Sequence, residues 1–289
     1  MKKIIAILSI AVLCIIVLQG ALTSSVNANS QQKESTSVWW NKNKNNHRQV
    51  PADFPQPEGG PEEVERVRTP VSNIVLQQRY PETVVLRGPI SENRLALTFD
   101  DGPDPRFTPL VLDVLKEYDV KATFFLMGSR ADAYPELARR IVEEGHIIGN
   151  HSYWHPNFVK KEDVATLERE VNQTEEKLNE VIGYRTRLFR APYGFLYNEL
   201  VEKLADMDYT VVGWNVDSLD WKEMPPEDTA YNVLSNIEPG SIILMHDGGD
   251  WTSDLTGTVE ALRIIIPTLK EQGFEFTTVP DLLNIPYQR

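Results

Sequence analysis

The 289-residue chain has little cysteine, no excess of basic residues and no long hydrophobic run. Its single cysteine, Cys14, excludes an intramolecular disulfide. With 29 Lys and Arg against 42 Asp and Glu, the net charge of −13 argues against nucleic-acid binding, which needs clustered cations. The longest apolar run, residues 4–18, is shorter than the roughly 20 residues that span a bilayer. The composition, 41% hydrophobic and 25% charged, is that of a globular protein and excludes a disordered, collagenous or polytopic membrane chain.

Residues 1–28 have the pattern of an export signal. Lys2 and Lys3 precede the apolar run, and the small residues of Val26-Asn27-Ala28 follow it as a cleavage site. We therefore expect a secretory signal peptide. The alternative is an uncleaved segment that anchors the protein in the membrane. Cleavage after Ala28 would remove Cys14, so the exported chain would contain no cysteine.

Residues 29–89 differ in composition from the rest of the chain. Asn, Gln, Ser and Lys dominate as far as about Gly60, so this part buries too little apolar surface to offset its ordering entropy. We expect a flexible polar spacer here, followed by a transitional segment with a short extended piece at 71–76. The charge supports the same division: residues 29–89 carry a net charge of +1, and residues 90–289 carry −16. The folded domain is therefore expected over residues 90–289.

Within residues 90–289, strand patterns alternate with helix patterns. Apolar, β-prone runs predict seven strands, at 95–99, 122–127, 147–150, 188–190, 209–216, 241–245 and 274–279. Amphipathic patterns predict helices between them, at 108–118, 135–144, 162–182, 196–207, 226–237 and 258–272. This alternation is typical of a parallel α/β sheet, either open or closed into a barrel.

Clusters of polar residues follow five of the predicted strands. Taken singly, each has an ordinary structural explanation, such as a turn, a helix cap, an ion pair or a buried histidine. Because the carboxyl ends of parallel strands carry the active sites of α/β folds, the five clusters together point to one site. They contain Asp100 and Asp101, His151 and His155, Arg190, Asp217 and Asp220, and His246.

These residue types fit metal-assisted hydrolysis. His151 and His155, spaced i, i+4, share one face of a helical turn, and one of the adjacent aspartates would complete a set of three ligands. Three ligands leave positions open for water and substrate. The other aspartate can take a proton from water, and His246, with its pKa raised by Asp220, can donate one to a leaving group. Amide or ester hydrolysis follows. A glycosidase typically uses two carboxylates and no metal, and the His-Glu-x-x-His motif of zincins is absent.

Five motifs occur in order along the chain. They are Thr98-Phe-Asp-Asp-Gly-Pro103, His151-Ser-Tyr-Trp-His155, Arg190-Ala-Pro-Tyr193, Asp217-Ser-Leu-Asp220-Trp221 and Leu244-Met-His246. This set resembles the five motifs of the polysaccharide deacetylases, the NodB-homology domains of carbohydrate esterase family four, over about residues 90–285. The resemblance implies a distorted (β/α) barrel of about seven parallel strands in a single catalytic domain. It also implies a divalent metal, zinc first, with cobalt or another ion as alternatives.

The resemblance implies roles for the matching residues. Asp101, His151 and His155 match the metal ligands, and Asp100 matches the catalytic base. His246 matches the catalytic acid, Asp220 the carboxylate that tunes it, and Arg190 the residue that positions the base. The backbone N–H of Tyr193 matches an oxyanion donor, and Trp221 and Leu244 match the walls of the acetyl pocket.

From the resemblance we expect a hydrolase that removes N-acetyl groups from a polysaccharide, acting on amide bonds other than peptide bonds. The export pattern favours the N-acetylglucosamine of peptidoglycan, ahead of chitooligosaccharide and of acetylated xylan, the substrate of an acetylxylan esterase. A wall-binding module that keeps the fold and metal without catalysis is the non-enzymatic alternative. We expect a secreted or cell-wall-associated protein, outside the cytoplasm, whose partner is the polysaccharide; no protein partner is implied.

Overall fold

The computed structural model describes residues 54–56, 58, 70–160 and 163–289. The expected signal peptide and most of the expected spacer lie outside these residues. Within the described part of the chain, no helix combines the length and the apolar character needed to cross a membrane.

Short strands alternate with helices throughout the described residues. The strands are β1 (Val84–Val85), β2 (Arg94–Asp100), β3 (Thr123–Leu126), β4 (Ile147–Asn150), β5 (Leu188–Phe189), β6 (Thr210–Val212), β7 (Val216–Asp217), β8 (Ile242–His246) and β9 (Glu275–Phe276). The helices are α1 (Asn73–Arg79), α2 (Thr108–Glu117), α3 (Gly128–Ala133), α4 (Pro135–Glu143), α5 (Val164–Ile182), α6 (Asn198–Asp206), α7 (Pro226–Leu234), α8 (Thr256–Glu271) and α9 (Val279–Leu283).

The strands form one sheet in the order β1-β6-β5-β4-β3-β2-β8-β7, with β9 paired to β2. Every pairing between these strands is parallel. Consecutive strands β6 and β7 lie near opposite ends of this order, yet only residues 213–215 join them. A chain of that length spans at most about 14 Å from Val212 to Val216, so the two ends of the sheet must approach each other. The sheet is therefore curled into a half-barrel surrounded by helices, which confirms the predicted α/β barrel architecture of a single domain.

Alternation along β2 separates the core from the polar end of the barrel. Leu95, Leu97 and Phe99 are fully buried in the main hydrophobic cluster, with residues of α2, α4 and α8. Ala96 belongs to a different cluster, with residues of α9. Because successive side chains of a strand point to opposite faces, Thr98 and Asp100 lie on the same face as Ala96. The strand thus carries a hydroxyl and a carboxylate to one end of the barrel.

The strand predicted at 274–279 is shorter in the structure, because β9 covers only Glu275–Phe276 and α9 begins at Val279. The strand predictions also differ from the structure in two further places. The run at 209–216 is two strands, β6 and β7, because the chain has to cross from one end of the curved sheet to the other at 213–215. Strand β1 was not predicted, because two residues carry no measurable periodicity. The sheet consequently has nine strands where about seven were expected.

The folded domain begins before residue 90, the predicted boundary. Helix α1 replaces the extended piece expected at 71–76. Leu76, Val84 and Leu86 are buried in a cluster that includes residues of α5 and α6. Burial of Leu76 against these helices overrides the local β-propensity of the neighbouring valine and isoleucine. The later part of the expected transitional segment, from residue 70, therefore belongs to the domain.

Candidate active site

The register of the sheet brings the predicted polar clusters together. Asp100, at the end of β2, is paired with His246 of β8 on one side and with Phe125 of β3 on the other. The next strands in the sheet are β4, which His151 follows, and β5, which Arg190 follows. Because all these strands are parallel, their carboxyl ends meet at one rim of the barrel. The side chains of Asp100, His151, Arg190 and His246 are buried at this rim, with relative exposures of 1–4%.

Asp101, His151 and His155 form a buried group that can hold a metal ion. Oδ1 of Asp101 lies 3.3 Å from Nε2 of His151 and 3.2 Å from Nε2 of His155. Ligands bound at 2.0–2.1 Å in a tetrahedral zinc site are about 3.3 Å apart, so these separations fit such an ion. Oδ1 of Asp101 is buried and accepts no hydrogen bond from any described residue, as expected of an atom aimed at a cation.

The tautomer of His151 also suits a metal ligand. Its Nδ1 lies 2.9 Å from the carbonyl oxygen of Arg190, which can only accept, so Nδ1 carries the proton. The lone pair is then on Nε2, the atom that faces Asp101. An imidazole whose outer nitrogen donates to a carbonyl is the common arrangement in metal sites, because it fixes both ring orientation and tautomer.

Burial and neighbouring charges place two of the three groups in the ligand protonation state. Burial lowers the pKa of His155 to about 3, so this imidazole is neutral at neutral pH. For Asp101, burial alone would raise the pKa, but His155 and His151 outweigh it and the carboxyl pKa is lowered. Burial would lower the pKa of His151, but the carboxylates of Asp100 and Asp101 raise it. The same negative field attracts a cation to the site.

Arg190 holds the neighbouring carboxylate of Asp100. Its Nη1 donates to Oδ1 of Asp100 at 2.7 Å and to Oγ1 of Thr98 at 2.7 Å. Nε donates to the carbonyl oxygen of Val212 at 3.0 Å, and the guanidinium lies 4.2 Å over the ring of Phe125. With so many partners the guanidinium has one available position. Asp100 is therefore fixed beside the triad, with Oδ2 3.8 Å from Nε2 of His151.

His246 and Asp220 form a second oriented pair. Oδ1 of Asp220 lies 2.8 Å from Nδ1 of His246, and Oδ2 accepts the backbone N–H of His246 at 2.8 Å. Oγ1 of Thr258 donates to the same Oδ2 at 3.0 Å. Burial would lower the pKa of His246, but the charge and hydrogen bond of Asp220 raise it well above the ordinary value. His246 is therefore an imidazolium near neutral pH, with Nδ1 held by the carboxylate.

The three predicted substrate-binding residues lie next to these groups. The ring of Tyr193 packs against His155 at 4.6 Å, and its backbone is left-handed, with φ of 60°. Trp221 is half-buried and directly follows Asp220 in a short 3-10 helix. Leu244 is buried in β8, two residues before His246, so both side chains point to one face of the strand.

Sequence reasoning missed two residues that support the site, Arg130 and Glu170. Nη1 of Arg130 donates to the carbonyl oxygen of Asp101 at 2.6 Å, Nε donates to that of Pro55 at 3.1 Å, and Nη2 donates to that of Gly249. The signal for Arg130 was its position just after β3, at the same rim as the other clusters. Glu170 could have been noticed as an acidic residue on the apolar, buried face of α5.

Comparison with known proteins agrees with the motifs. The family whose sequence model matches residues 87–212 is described as polysaccharide deacetylase. A peptidoglycan-N-acetylglucosamine deacetylase of Bacillus cereus is 43% identical over 204 residues, which are 70% of this chain and 72% of that protein. This chain belongs to the polysaccharide deacetylase family. Members of this family depend on a metal, which agrees with the buried Asp-His-His group.

Another relative and a solved structure are also similar to this chain. A chitooligosaccharide deacetylase of Azorhizobium caulinodans is 34% identical and covers 66% of this chain and 94% of its own length. A crystal structure of a peptidoglycan N-acetylglucosamine deacetylase, in complex with 4-naphthalen-1-yl-N-oxidanyl-benzamide, matches with a TM-score of 0.71 at 40% identity. That match covers 75% of this chain and 99% of the solved one.

Proposed function

We propose that this protein is a metal-dependent hydrolase that removes N-acetyl groups from the N-acetylglucosamine residues of peptidoglycan. The observation that carries the proposal is a buried group that can hold a metal ion, with two oriented pairs at the same rim of the barrel, Asp100 with Arg190 and His246 with Asp220. A hydrolase needs a group that removes a proton from water and a group that protonates the leaving amine. The two pairs supply these groups.

Asp101, His151 and His155 would hold the ion, with zinc as the preferred identity because two imidazoles and one carboxylate are ligands that zinc accepts in catalytic sites. When bound, the ion would polarise the acetyl carbonyl and lower the pKa of a water molecule. Cobalt and other divalent ions can bind the same imidazole and carboxylate ligands, so they are the alternatives to zinc.

Asp100 is the proposed base. Its Oδ1 is occupied by Arg190, so the other oxygen, Oδ2, faces the triad and accepts the proton of the attacking water. Arg190 keeps this carboxylate oriented through a charge-assisted hydrogen bond. Asp100 and Asp101 therefore have separate roles although they are adjacent in sequence. Asp100, oriented by Arg190, accepts a proton, and Asp101 binds the ion.

His246 is the proposed acid. The new C–O bond forms as water adds to the acetyl carbonyl, and the C–N bond then breaks to release acetate. The sugar nitrogen leaves as an amine only if it receives a proton, which the imidazolium of His246 donates through Nε2. Asp220 holds Nδ1 and stabilises the charged imidazolium before the transfer.

The remaining residues would recognise the acetyl group. The backbone N–H of Tyr193 would donate to the oxyanion that develops on the carbonyl oxygen. Trp221 and Leu244 would form apolar walls around the methyl group, which discriminates acetyl from larger acyl groups by size. Trp221 directly follows Asp220, and Leu244 lies two residues before His246 in β8, so both would be close to the acetyl group that is removed.

Peptidoglycan is preferred over chitooligosaccharide because a relative named for peptidoglycan is 43% identical to this chain, against 34% and 38% for two relatives named for chitooligosaccharide. Acetate release should be measured on peptidoglycan, chitin oligomers and acetylated xylan, each with added zinc and after chelation. The proposal expects release from peptidoglycan that chelation abolishes and zinc restores. Faster acetate release from chitin oligomers or from acetylxylan would make that polysaccharide the proposed substrate instead of peptidoglycan. No release from any of them, with tight binding to cell walls, would support the wall-binding module instead.

Because peptidoglycan lies outside the cytoplasm, the proposal includes export, with residues 1–28 as the signal peptide. The mass of the protein recovered from the culture medium and from the membrane fraction tests this. A mass that corresponds to a chain beginning after Ala28 supports cleavage, and the mass of the full-length protein in the membrane fraction supports the uncleaved anchor.

A further inference from the structure

Glu170 is an acidic residue on the inward face of α5. Its relative exposure is 2%, and the other buried residues of the helix include Leu167, Val171, Thr174 and Leu178. A carboxylate is costly to bury in such surroundings unless hydrogen bonds replace its water. Its partners therefore indicate why an acid stands at this position.

Those partners are peptide groups of the loop between two metal-ligand residues. Oε2 of Glu170 accepts the backbone N–H of Tyr153 at 3.0 Å and that of Trp154 at 2.8 Å. Tyr153 and Trp154 lie between His151 and His155 in the sequence. A single oxygen atom thus binds two consecutive peptide groups of the segment that determines the distance between the two imidazoles.

The loop needs such support because its backbone is strained. Ser152 has φ of 64° and His155 has φ of 57°, both in the left-handed region that non-glycine residues avoid. Oδ1 of Asn150 accepts the N–H of Ser152 at 2.9 Å, and Oγ of Ser152 accepts the N–H of His155 at 3.0 Å. With Glu170, side-chain acceptors therefore bind the N–H of every residue from Ser152 to His155.

We propose that Glu170 is a positioning residue of the metal centre, which sets metal affinity by holding the His151–His155 loop through the N–H groups of Tyr153 and Trp154. The inference rests on the proposed function for its biological use of the metal. Its physical claim concerns metal affinity alone, so the two can fail separately. Partners that orient the ligands of a metal typically change affinity by about 10–100-fold when they are removed.

Three variants of the full chain separate this role from general stability. Glu170→Met keeps the approximate volume but loses the acceptor. Glu170→Gln loses the charge but keeps one carbonyl oxygen, and one oxygen suffices because both bonds go to Oε2. Glu175→Met is the matched control: Glu175 is fully buried on the same helix but binds the N–H of Thr186 and Arg289, outside the loop.

Metal-free protein of each variant should be titrated with Co²⁺ and with Zn²⁺, and the visible spectrum of bound Co²⁺ and the melting temperature without metal should be recorded. We expect Glu170→Met to weaken Co²⁺ binding by about 10–100-fold and to change the spectrum. Glu170→Gln should bind within about threefold of the parent. Glu175→Met should lower the melting temperature without changing the affinity.

Equal affinity in Glu170→Met and the parent would overturn the inference. Equal losses in Glu170→Gln and Glu170→Met would overturn it too, because charge rather than loop position would then explain the effect. The same holds if Glu170→Met loses its cooperative melting, since Glu170 would then support the fold as a whole. If the parent releases no acetate but the affinities change as expected, the proposed function fails and the positioning role stands.

Discussion

Substituting Asp220 with asparagine should remove most of the proton-donating capacity of His246 while the shape of the site is kept. Oδ2 of Asp220 accepts two donors, the backbone N–H of His246 and Oγ1 of Thr258. An asparagine would place its only oxygen there, because an amide NH₂ cannot accept. The NH₂ group would then face Nδ1 of His246, which has to accept and therefore stays unprotonated.

The size of the effect follows from the lost charge. The carboxylate and imidazole atoms are 2.8 Å apart, so the charge centres are separated by about 4 Å. At an effective dielectric constant of about 20, their attraction is about 4 kcal/mol. Since about 1.4 kcal/mol corresponds to a tenfold change, kcat/KM near neutral pH should fall by about 10²–10³.

The pH profile gives the sign of the effect. As the proposed acid, His246 must be protonated to act, and Asp220, with smaller contributions from Asp101 and Asp100, raises its pKa against burial. The parent therefore keeps its acid as pH rises through neutrality and loses activity above the raised pKa. In Asp220→Asn this pKa falls, so the basic limb of kcat/KM should move to lower pH.

The assay is acetate release from peptidoglycan by zinc-loaded protein over about pH 5 to 9. Asp217→Asn is the control: this carboxylate lies three residues before Asp220, at the end of β7, but accepts the N–H of Leu219 and has no hydrogen bond to His246 among the described residues. Asp217→Asn should shift the basic limb of the pH profile less than Asp220→Asn does. A basic limb that is unchanged in Asp220→Asn, or a loss that is the same at every pH, would refute the assigned pair.

Three further outcomes are expected. Asp100→Asn should lower kcat by about 10²–10⁴ while metal content, measured on the purified protein, is retained; loss of metal would instead make Asp100 a ligand. Arg130→Met should lower the free energy of unfolding by about 3–5 kcal/mol in denaturant titrations, because it leaves the buried carbonyl of Asp101 and the part-buried carbonyls of Pro55 and Gly249 without their donor; an unchanged midpoint contradicts this. Burial raises the pKa of Asp247 to about 8, so the parent should lose stability from about pH 4 to pH 8, by about 1.4 kcal/mol per pH unit. Asp247→Asn does not titrate and should therefore gain melting temperature over the parent as pH rises; a difference that is constant with pH would show that Asp247 is ionised in the fold.

Much of the barrel could be predicted from local pattern. Strands such as β2 and β8 are mostly apolar runs, as expected of parallel strands buried on both faces, and they were predicted to within one or two residues. The exceptions have physical causes. β1 and α1 are short, and burial of Leu76 and Val84 in the domain decides their conformation. The break between β6 and β7 depends on the curvature of the whole sheet.

Some residues of the candidate site could likewise be predicted from the sequence, and others could not. Residues at strand ends, such as Asp100 and His246, could be placed together from the rule for parallel sheets alone. Glu170 could not, because its hydrogen bonds reach 16 and 17 residues back along the chain, to a loop whose path is not local. Arg130 could not either, because its three carbonyl partners come from separate segments, one of them 75 residues away.

By itself, the sequence determined the class of chemistry and the alternation of strands and helices along the chain, because both depend on which residues occur and at what spacing. The resemblance to the family gave the adjacent aspartates different roles, but only the tertiary structure shows the physical difference between them. Arg190, 90 residues from Asp100, holds one carboxylate, while the other lies between two imidazoles. The tertiary structure also decided that residues before 90 belong to the domain and that an acid on α5 supports a strained loop. Hydrogen bonds, burial and charge act between atoms that are close in space, and the fold brings together atoms that the sequence separates.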